Sequence, residues 1–398
     1  MSEIQGISYL SAREAATELN ISRASLYAYV SRGLIRSAPA AQGRQRLYAA
    51  EDVRALRRRK NPDDAEANPG HALDFGLPVL TSAVTLIEGG RLYYRGRDAI
   101  ALAAAASLET VAGLLWRSQT DVFAANVEAP PAPRLEGADP ICRCIAALAW
   151  AQQHDARAHN RKATAVAQTG AAIVRQMAAA FAGQSPSRRP IHEVLAYGFG
   201  APTAVDAVRI ALVLLADHEL NASTFTARCA ASTAATPYAA VLAGLAALQG
   251  PRHGMQHRQV EAFFRDVADR PALAGALADR LTRGDPFPGF GHPLYSAGDP
   301  RAVALLAALA GRPFHRDATA IAKQVFDLTG EHPNVDFALG ALARAYSLPS
   351  HAPFAIFATA RAVGWIAHVI EQYDEGTLIR PRARYVGEAP QAPHPGVG

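Results

Sequence analysis

Ile210-Ala-Leu-Val-Leu-Leu-Ala-Asp-His218 is an unbroken apolar run that ends in an aspartate and a histidine. Apolar on every side, it reads as a helix buried all round that delivers His218 to an interior edge. The chain around it repeats the message. Half of the 398 residues are apolar, and alanine comes in runs such as Ala103 to Ala106. Val, Ile, Tyr and Phe seldom alternate with polar residues as strands require, so the expected fold class is all-α. The only convincing β stretch is Leu80 to Arg97, a hairpin about Gly89-Gly90. A chain of this length has room for two or three cores, and units of ~300 residues bury about 75% of their unfolded surface.

Three cysteines, Cys142, Cys144 and Cys229, are an odd number in no paired metal-ligand arrangement, which points to reduced thiols. With no basic, apolar leader at Met1 and no apolar stretch approaching the ~18 residues of a membrane span, the expectation is a soluble, cytoplasmic protein with no membrane partner.

Charge is uneven along the chain. Residues 1–60 carry 11 Lys+Arg against 5 Asp+Glu, a net of +6, and the remainder carries 29 against 30. Such a block suits a nucleic-acid-binding module joined to a near-neutral body. Ser11 and Glu14 have the spacing of a capping box at the start of one short helix, and Ser22 can cap a second, Arg23 to Val30. Gly43 to Tyr48 then reads as an arginine-tipped hairpin, and Glu51 to Lys60 as a basic helix. Helix, helix, basic wing and helix together resemble the MerR-like winged helix-turn-helix over residues 1–60. That resemblance implies DNA contacts from Arg23, Ser25 and Tyr27 on the second helix and from Arg44 and Arg46 in the wing. The same fold also serves protein docking, which stays open. Residues 61–72 read as a polar linker, and the Pro/Gly-rich tail 386–398 as disordered.

Four further stretches carry candidate chemistry. Pro288-Gly-Phe-Gly-His292 runs on to Asp299-Pro-Arg301 and sets a histidine on a glycine-bounded turn. Gly250-Pro-Arg-His253-Gly puts another before a helix from about Met255 to Val267, where the helix dipole favours the neutral ring. Pro333-Asn-Val-Asp336-Phe reads as a helix N-terminal turn, Arg361 lies in Ala-Arg-Ala-Val-Gly, and Arg380 opens Arg-Pro-Arg-Ala-Arg near the C-terminus. His253, His257 and Glu261 share a helical spacing, but no further ligand completes a zinc set, so no metal is expected. A lone histidine such as His218 is more often a hydrogen-bonded core residue than a ligand.

Taken in order, Asp-His218-Glu-x-Asn-Ala-Ser-Thr, Gly-Pro-x-His253-Gly, Gly-Phe-Gly-His292, Asp-Pro-Arg301, Pro-Asn-Val-Asp336-Phe, Arg361 and Arg380 resemble the signature stretches of citrate synthases over residues 73–385. The resemblance implies a large and a small helical domain, the small one approximately 254–355, in a homodimer. It implies condensation of acetyl-CoA with oxaloacetate, with acetyl-CoA as co-substrate and no other cofactor. By the same resemblance His253, His292 and Asp336 are catalytic, His218, His292, Arg301, Arg361 and Arg380 bind oxaloacetate, and Gly289, Phe290 and Gly291 border coenzyme A. Met255-Gln-His257, Leu294 and the lack of a basic residue between His292 and Arg301 depart from the family pattern. Two alternatives stand beside this reading: a 2-methylcitrate synthase using propionyl-CoA, and a transcriptional regulator whose synthase-derived body senses a metabolite.

Overall fold

The computed structural model describes residues 2–4, 7–19, 26, 29–30, 35–39, 46–53, 80–124, 135, 137–268, 272–383 and 385–387. Contacts divide the chain into two compact units, Met1–Thr81 and Ser82–Gly398.

In the first unit the antiparallel strands β1 (Ser2–Ile4), β2 (Ile7–Ser11), β3 (Ser37–Pro39) and β4 (Arg46–Ala49) form a sheet in the order β1-β2-β4-β3. The wing strands pair Ser37 with Tyr48 and Pro39 with Arg46, while β1 and β2 were not anticipated from sequence. Helix α1 (Ala12–Glu18) opens on the expected capping box: the Ser11 amide donates to Glu14 Oε2 at 2.8 Å, and the Glu14 amide to Ser11 Oγ at 3.3 Å. Leu10, Ala15, Leu19, Leu26, Ile35, Tyr48 and Val53 make a small core of their own. Arg36 grips Asp52 at 2.9 Å, fastening the strand side to the helix that follows β4. Arg46 is exposed at the start of β4. Arg23, Ser25, Tyr27 and Arg44, the linker 61–72 and residues 388–398 lie outside the described residues.

The second unit begins with β5 (Thr85–Glu88), β6 (Arg91–Tyr94) and β7 (Arg97–Asp98), an antiparallel meander. Gly89 and Gly90 turn the first hairpin with φ of +58° and +72°, conformations that side chains with a Cβ resist. Helices follow from Asp98, which caps α2 (Ala99–Ala105) by accepting from the Ile100 and Ala101 amides. They are α3 (Leu108–Leu115), α4 (Pro140–His154), α5 (Ala163–Ala182), α6 (Ile191–Gly198) and α7 (Val205–Leu215). After these come α8 (Ala222–Ser232), α9 (Pro237–Leu248), α10 (Gln256–Ala268) and α11 (Leu273–Arg283). The last four are α12 (Pro300–Ala307), α13 (His315–Thr329), α14 (Val335–Ala345) and α15 (Ala352–Glu375). Among the described residues the body is all-α apart from its opening meander and an isolated bridge between Phe290 and Pro333.

Helix α15 is the axle, with α3, α5, α7, α8 and α9 packed around it. It corrects one expectation. Ala352–Glu375 is long and apolar enough to cross a membrane, but its apolar window is wholly buried within this unit. A helix encased by its neighbours is apolar for the same reason a spanning helix is.

The run that opened the sequence reading ends earlier than expected. Helix α7 stops at Leu215, and Asp217 and His218 lie in the turn beyond. Its end is fixed by α15: Arg361 Nε donates to Leu215 O at 3.0 Å and the Gly364 amide to Ala216 O at 3.0 Å. These donors satisfy carbonyls that a helix C-terminus leaves open. Only glycine fits at 364, because an added Cβ would meet Asp217 Oδ1 at 2.3 Å and Ala216 O at 2.5 Å. Gly364→Ala is therefore expected to destabilise the body by roughly 1–3 kcal/mol, the usual cost of overpacking. Chemical denaturation followed by tryptophan fluorescence checks this; an unchanged midpoint would mean that the helices part freely here.

Candidate active site

The turn after α7 is held from two sides. Tyr94 Oη lies 3.0 and 3.1 Å from the carbonyls of Val213 and Leu214, and the wholly buried Asp217 faces His368 of α15 at 3.4 Å. His218 follows and is itself buried, with Nε2 2.9 Å from the Tyr295 hydroxyl. Burial, then the charges of Arg301 and Arg361, push its imidazole well below its ordinary range, so the ring is neutral.

His292 reaches the same place on a loop stitched to the turn before α14. The Asn334 amide donates to Gly289 O at 2.8 Å, the Gly291 amide to His332 O at 2.9 Å, and Asn334 Nδ2 to Gly291 O at 3.0 Å. Gly289 and Gly291 take φ of +84° and +74°, and a Cβ on Gly289 would meet Phe337 at 2.8 Å. The His218 and His292 rings meet edge to face, 5.3 Å between centroids. His292 Nδ1 accepts from the Leu294 amide at 3.1 Å. A backbone N–H can only donate, so the neutral ring carries its proton on Nε2. Burial and Arg301 lower this histidine to about 4, which keeps it a neutral donor near pH 7.

The same stitch sets Asp336 in the first turn of α14, capped by Asn334, whose side chain accepts from the Asp336 amide at 3.0 Å. Asp336 is half-buried, and burial pushes its carboxyl up to about 7 although Arg301 and Arg361 pull the other way. His253 Nε2 lies 2.8 Å from Ser223 Oγ at the start of α8, and Ser223 Oγ also donates to Asn221 Oδ1 at 2.8 Å and accepts from Trp365 Nε1 at 3.2 Å. His253 is lowered to about 4 by burial first and Arg361 second, rather than by the helix dipole expected from sequence, for α10 starts three residues later.

The two interior arginines differ in kind. Arg301 is bound bidentately by Asp299, Nε to Oδ1 at 2.9 Å and Nη2 to Oδ2 at 2.8 Å. Arg361, 1% exposed, gives Nε to Leu215 O and stacks over Phe357, and among the described residues no acceptor takes its two terminal nitrogens. Burial lowers it to about 10, with Asp217 opposing and Arg301 adding to that shift. It is a buried cation without a matching anion.

Other expected residues fall differently. Arg380 is exposed on the segment after α15 and shares no hydrogen bond, ion pair or ring contact with this cluster. Phe290 is buried edge-on against Phe263 and Phe337, and the Gly289 carbonyl and both backbone groups of Gly291 are bonded in the stitch. His257 Nδ1 is bonded to Gly254 O and Glu261 is gripped by Arg344, so the helical His/Glu spacing is spent on other partners. Sequence reasoning missed Tyr295, Ser223 and Asp299. Asp-Pro at the head of a helix was a legible cap signal for Asp299; nothing local marked the other two. A cavity of about 190 Å³ opens beside His292, Tyr295, Asp299 and Asn334.

Set against known proteins, residues 74–382 match the family model described as citrate synthase, C-terminal domain. The chain belongs to the citrate synthase family. The match spans most of the second unit and takes in every stretch that builds the cluster above. Citrate synthase 2 of Bacillus subtilis is 29% identical over 368 residues, covering 78% of this chain and 94% of that protein. A citrate synthase of Haloferax volcanii is 41% identical over 187 residues, a match spanning only 45% of this chain and about half, 49%, of that relative. Among solved structures, the citrate synthase of Thermoplasma acidophilum in ternary complex with carboxymethyl coenzyme A and oxaloacetate superposes with a TM-score of 0.66 at 26% identity, covering 80% of this chain and 96% of that one. That of Thermotoga maritima gives 0.67 at 25%, with the same 80% and 96% coverage. Residues 9–61 match a helix-turn-helix family model.

Proposed function

We propose that this citrate synthase family member condenses acetyl-CoA with oxaloacetate to give citrate and coenzyme A. The observation that carries the reading is Arg361, a buried guanidinium with two unmatched nitrogens beside neutral His218 and His292. A carboxylate is the ligand that such a fork fits, and a dicarboxylate can engage Arg361 and the remaining nitrogen of Arg301 together. Arg380 joins them only when a second copy of the chain offers it, so the reading includes a homodimer.

The chemistry follows from the protonation states. The Asp336 carboxylate removes a proton from the acetyl methyl group, and a base near 7 is well matched to the task. The thioester oxygen gains negative charge as the enolate forms. When Ser223 turns its hydroxyl proton from Asn221 Oδ1 to His253 Nε2, the neutral ring carries its own on Nδ1 and donates it to that oxygen in a hydrogen bond. The enolate carbon attacks the ketone carbon of oxaloacetate, and His292 Nε2–H supplies the proton to the ketone oxygen as the carbon–carbon bond forms; the proton held by Asp336 then returns to the His292 ring through water, restoring both groups. Water then hydrolyses the citryl thioester, releasing citrate and coenzyme A. Coenzyme A release by the purified protein with oxaloacetate and either acetyl-CoA or propionyl-CoA tests this and ranks the acyl groups, whose single methylene is worth only ~1–3 kcal/mol of discrimination. Oxaloacetate binding without any release would favour the metabolite sensor.

A second reading concerns the first unit. The +6 charge of residues 1–60, the helix-turn-helix match and the exposed wing arginine Arg46 support DNA binding. The expected result is a mobility shift that weakens steeply with salt and is lost on replacing Arg23 and Arg44, because phosphate contacts release counterions. A shift indifferent to both changes would leave the module to protein docking.

A further inference from the structure

We propose that Asp299 is a positioning residue that locks the oxaloacetate-binding arginine Arg301 to the helix carrying the base Asp336. The inference deepens the synthase reading and rests on it. Asp299 is 1% exposed and every edge of its carboxylate is in use. Oδ1 accepts from the Arg301 amide at 3.0 Å and from Arg301 Nε at 2.9 Å. Oδ2 accepts from Arg301 Nη2 at 2.8 Å and from the Val335 amide, the first residue of α14, at 3.1 Å.

One carboxylate thus spans two helix N-termini. It caps α12, orients the guanidinium at the second position of that helix, and holds the first turn of α14, in which Asp336 is the next residue. A bare N-cap needs only one oxygen. The second oxygen makes the arrangement a strut, so that a shift of the arginine is a shift of the base. The reaction asks for that coupling, because the acetyl carbon deprotonated at Asp336 must meet a ketone whose carboxylates are held at Arg301 and Arg361.

Asn at this position breaks the strut by its chemistry. An amide offers one oxygen and one NH2, and whichever way it turns the NH2 must face the guanidinium together with the amide of either Arg301 or Val335, donor against donor. Removing the Asp299 charge also acts on Asp336. The charged groups bearing on that carboxyl are Asp299, which raises it, and Arg301 and Arg361, which lower it, while Glu261 of the adjoining α10 is held by Arg344. Loss of Asp299 therefore shifts Asp336 downward.

The experiment compares Asp299→Asn and Asp299→Glu with the full-length wild type, reading KM for oxaloacetate, the pH profile of kcat, and oxaloacetate binding by calorimetry. In Asp299→Asn the expected result is a KM raised about tenfold or more, weaker calorimetric binding, and an acid limb of kcat moved to lower pH. Asp299→Glu keeps the charge but lengthens the strut; it is expected to raise KM with the acid limb held at its wild-type position, and it carries the test where the asparagine variant does not fold. A raised KM in Asp299→Asn with an unmoved acid limb would reduce Asp299 to a cap, and wild-type KM in either variant would overturn the inference. A wild type that binds oxaloacetate but releases no coenzyme A sinks the synthase reading instead, and calorimetry on the variants then still decides whether Asp299 holds Arg301.

Discussion

Asp336→Asn is expected to lower coenzyme A release by about 1000-fold or more, within the ~10²–10⁴ range that a positioned general base contributes. Asparagine keeps the shape of the side chain and the Asn334 cap beneath it, and removes only the ability to take a proton. Oxaloacetate binding should survive, because its carboxylates are assigned to arginines that Asp336 does not grip. Folding should survive as well, since a half-buried carboxyl held near 7 already favours its neutral form. The sign of the wild-type pH profile follows from the same residue. Below about 7 the raised carboxyl is protonated and useless as a base, so kcat rises with pH through that region. His253 and His292, lowered to about 4, stay neutral throughout and add nothing to that limb. Steady-state rates across pH 5 to 9 with parallel calorimetry decide the matter; loss of oxaloacetate binding in the variant would remove Asp336 from the role of base.

Arg361→Met is expected to weaken oxaloacetate binding by roughly 100-fold or more without lowering the unfolding midpoint. Truncating one partner of a buried, hydrogen-bonded charge pair typically costs ~2–5 kcal/mol of affinity. Methionine keeps an apolar stem of similar length and removes the guanidinium that lies over Phe357. The free protein loses the hydrogen bond to Leu215 O and the contact with the Phe357 ring, and is relieved of a buried cation that forms no ion pair among the described residues. Burial disfavours the Arg361 charge, and losing that desolvation cost offsets the lost contacts. Binding and stability should therefore move independently, as they do where a group is kept for its ligand. Calorimetry and thermal denaturation on the same samples give the answer; a large fall in midpoint with unaltered binding would make Arg361 a structural pin for the end of α7.

The family was legible because its marks are local. Gly-Phe-Gly-His292, Asp-Pro-Arg301 and Pro-Asn-Val-Asp336 are spelled by turns and caps, and turn chemistry depends on neighbours within a few residues. The Ser11–Glu14 capping box and the Gly89-Gly90 hairpin formed as read for the same reason. Periodicity gave the helices but misplaced an end: α7 stops at Leu215 because Arg361 and Gly364, some 150 residues later, take its last carbonyls. Ala352–Glu375 shows the limit of composition, since an apolar helix at the centre of a bundle and one in a bilayer share a hydropathy.

By itself the sequence determined the family, the helical class, and the stretches that carry His218, His253, His292, Arg301, Asp336 and Arg361. It did not determine their charge states or their partners. The neutral rings of His218, His253 and His292, the raised carboxyl of Asp336 and the unmatched guanidinium of Arg361 arise from burial and from charges brought in by distant helices. Desolvation is a property of the packed interior, so only the tertiary structure decides it. The same holds for Asp299: as a cap for α12 it can be read from Asp-Pro-Arg, but its grip on Val335 exists only once α14 is packed alongside.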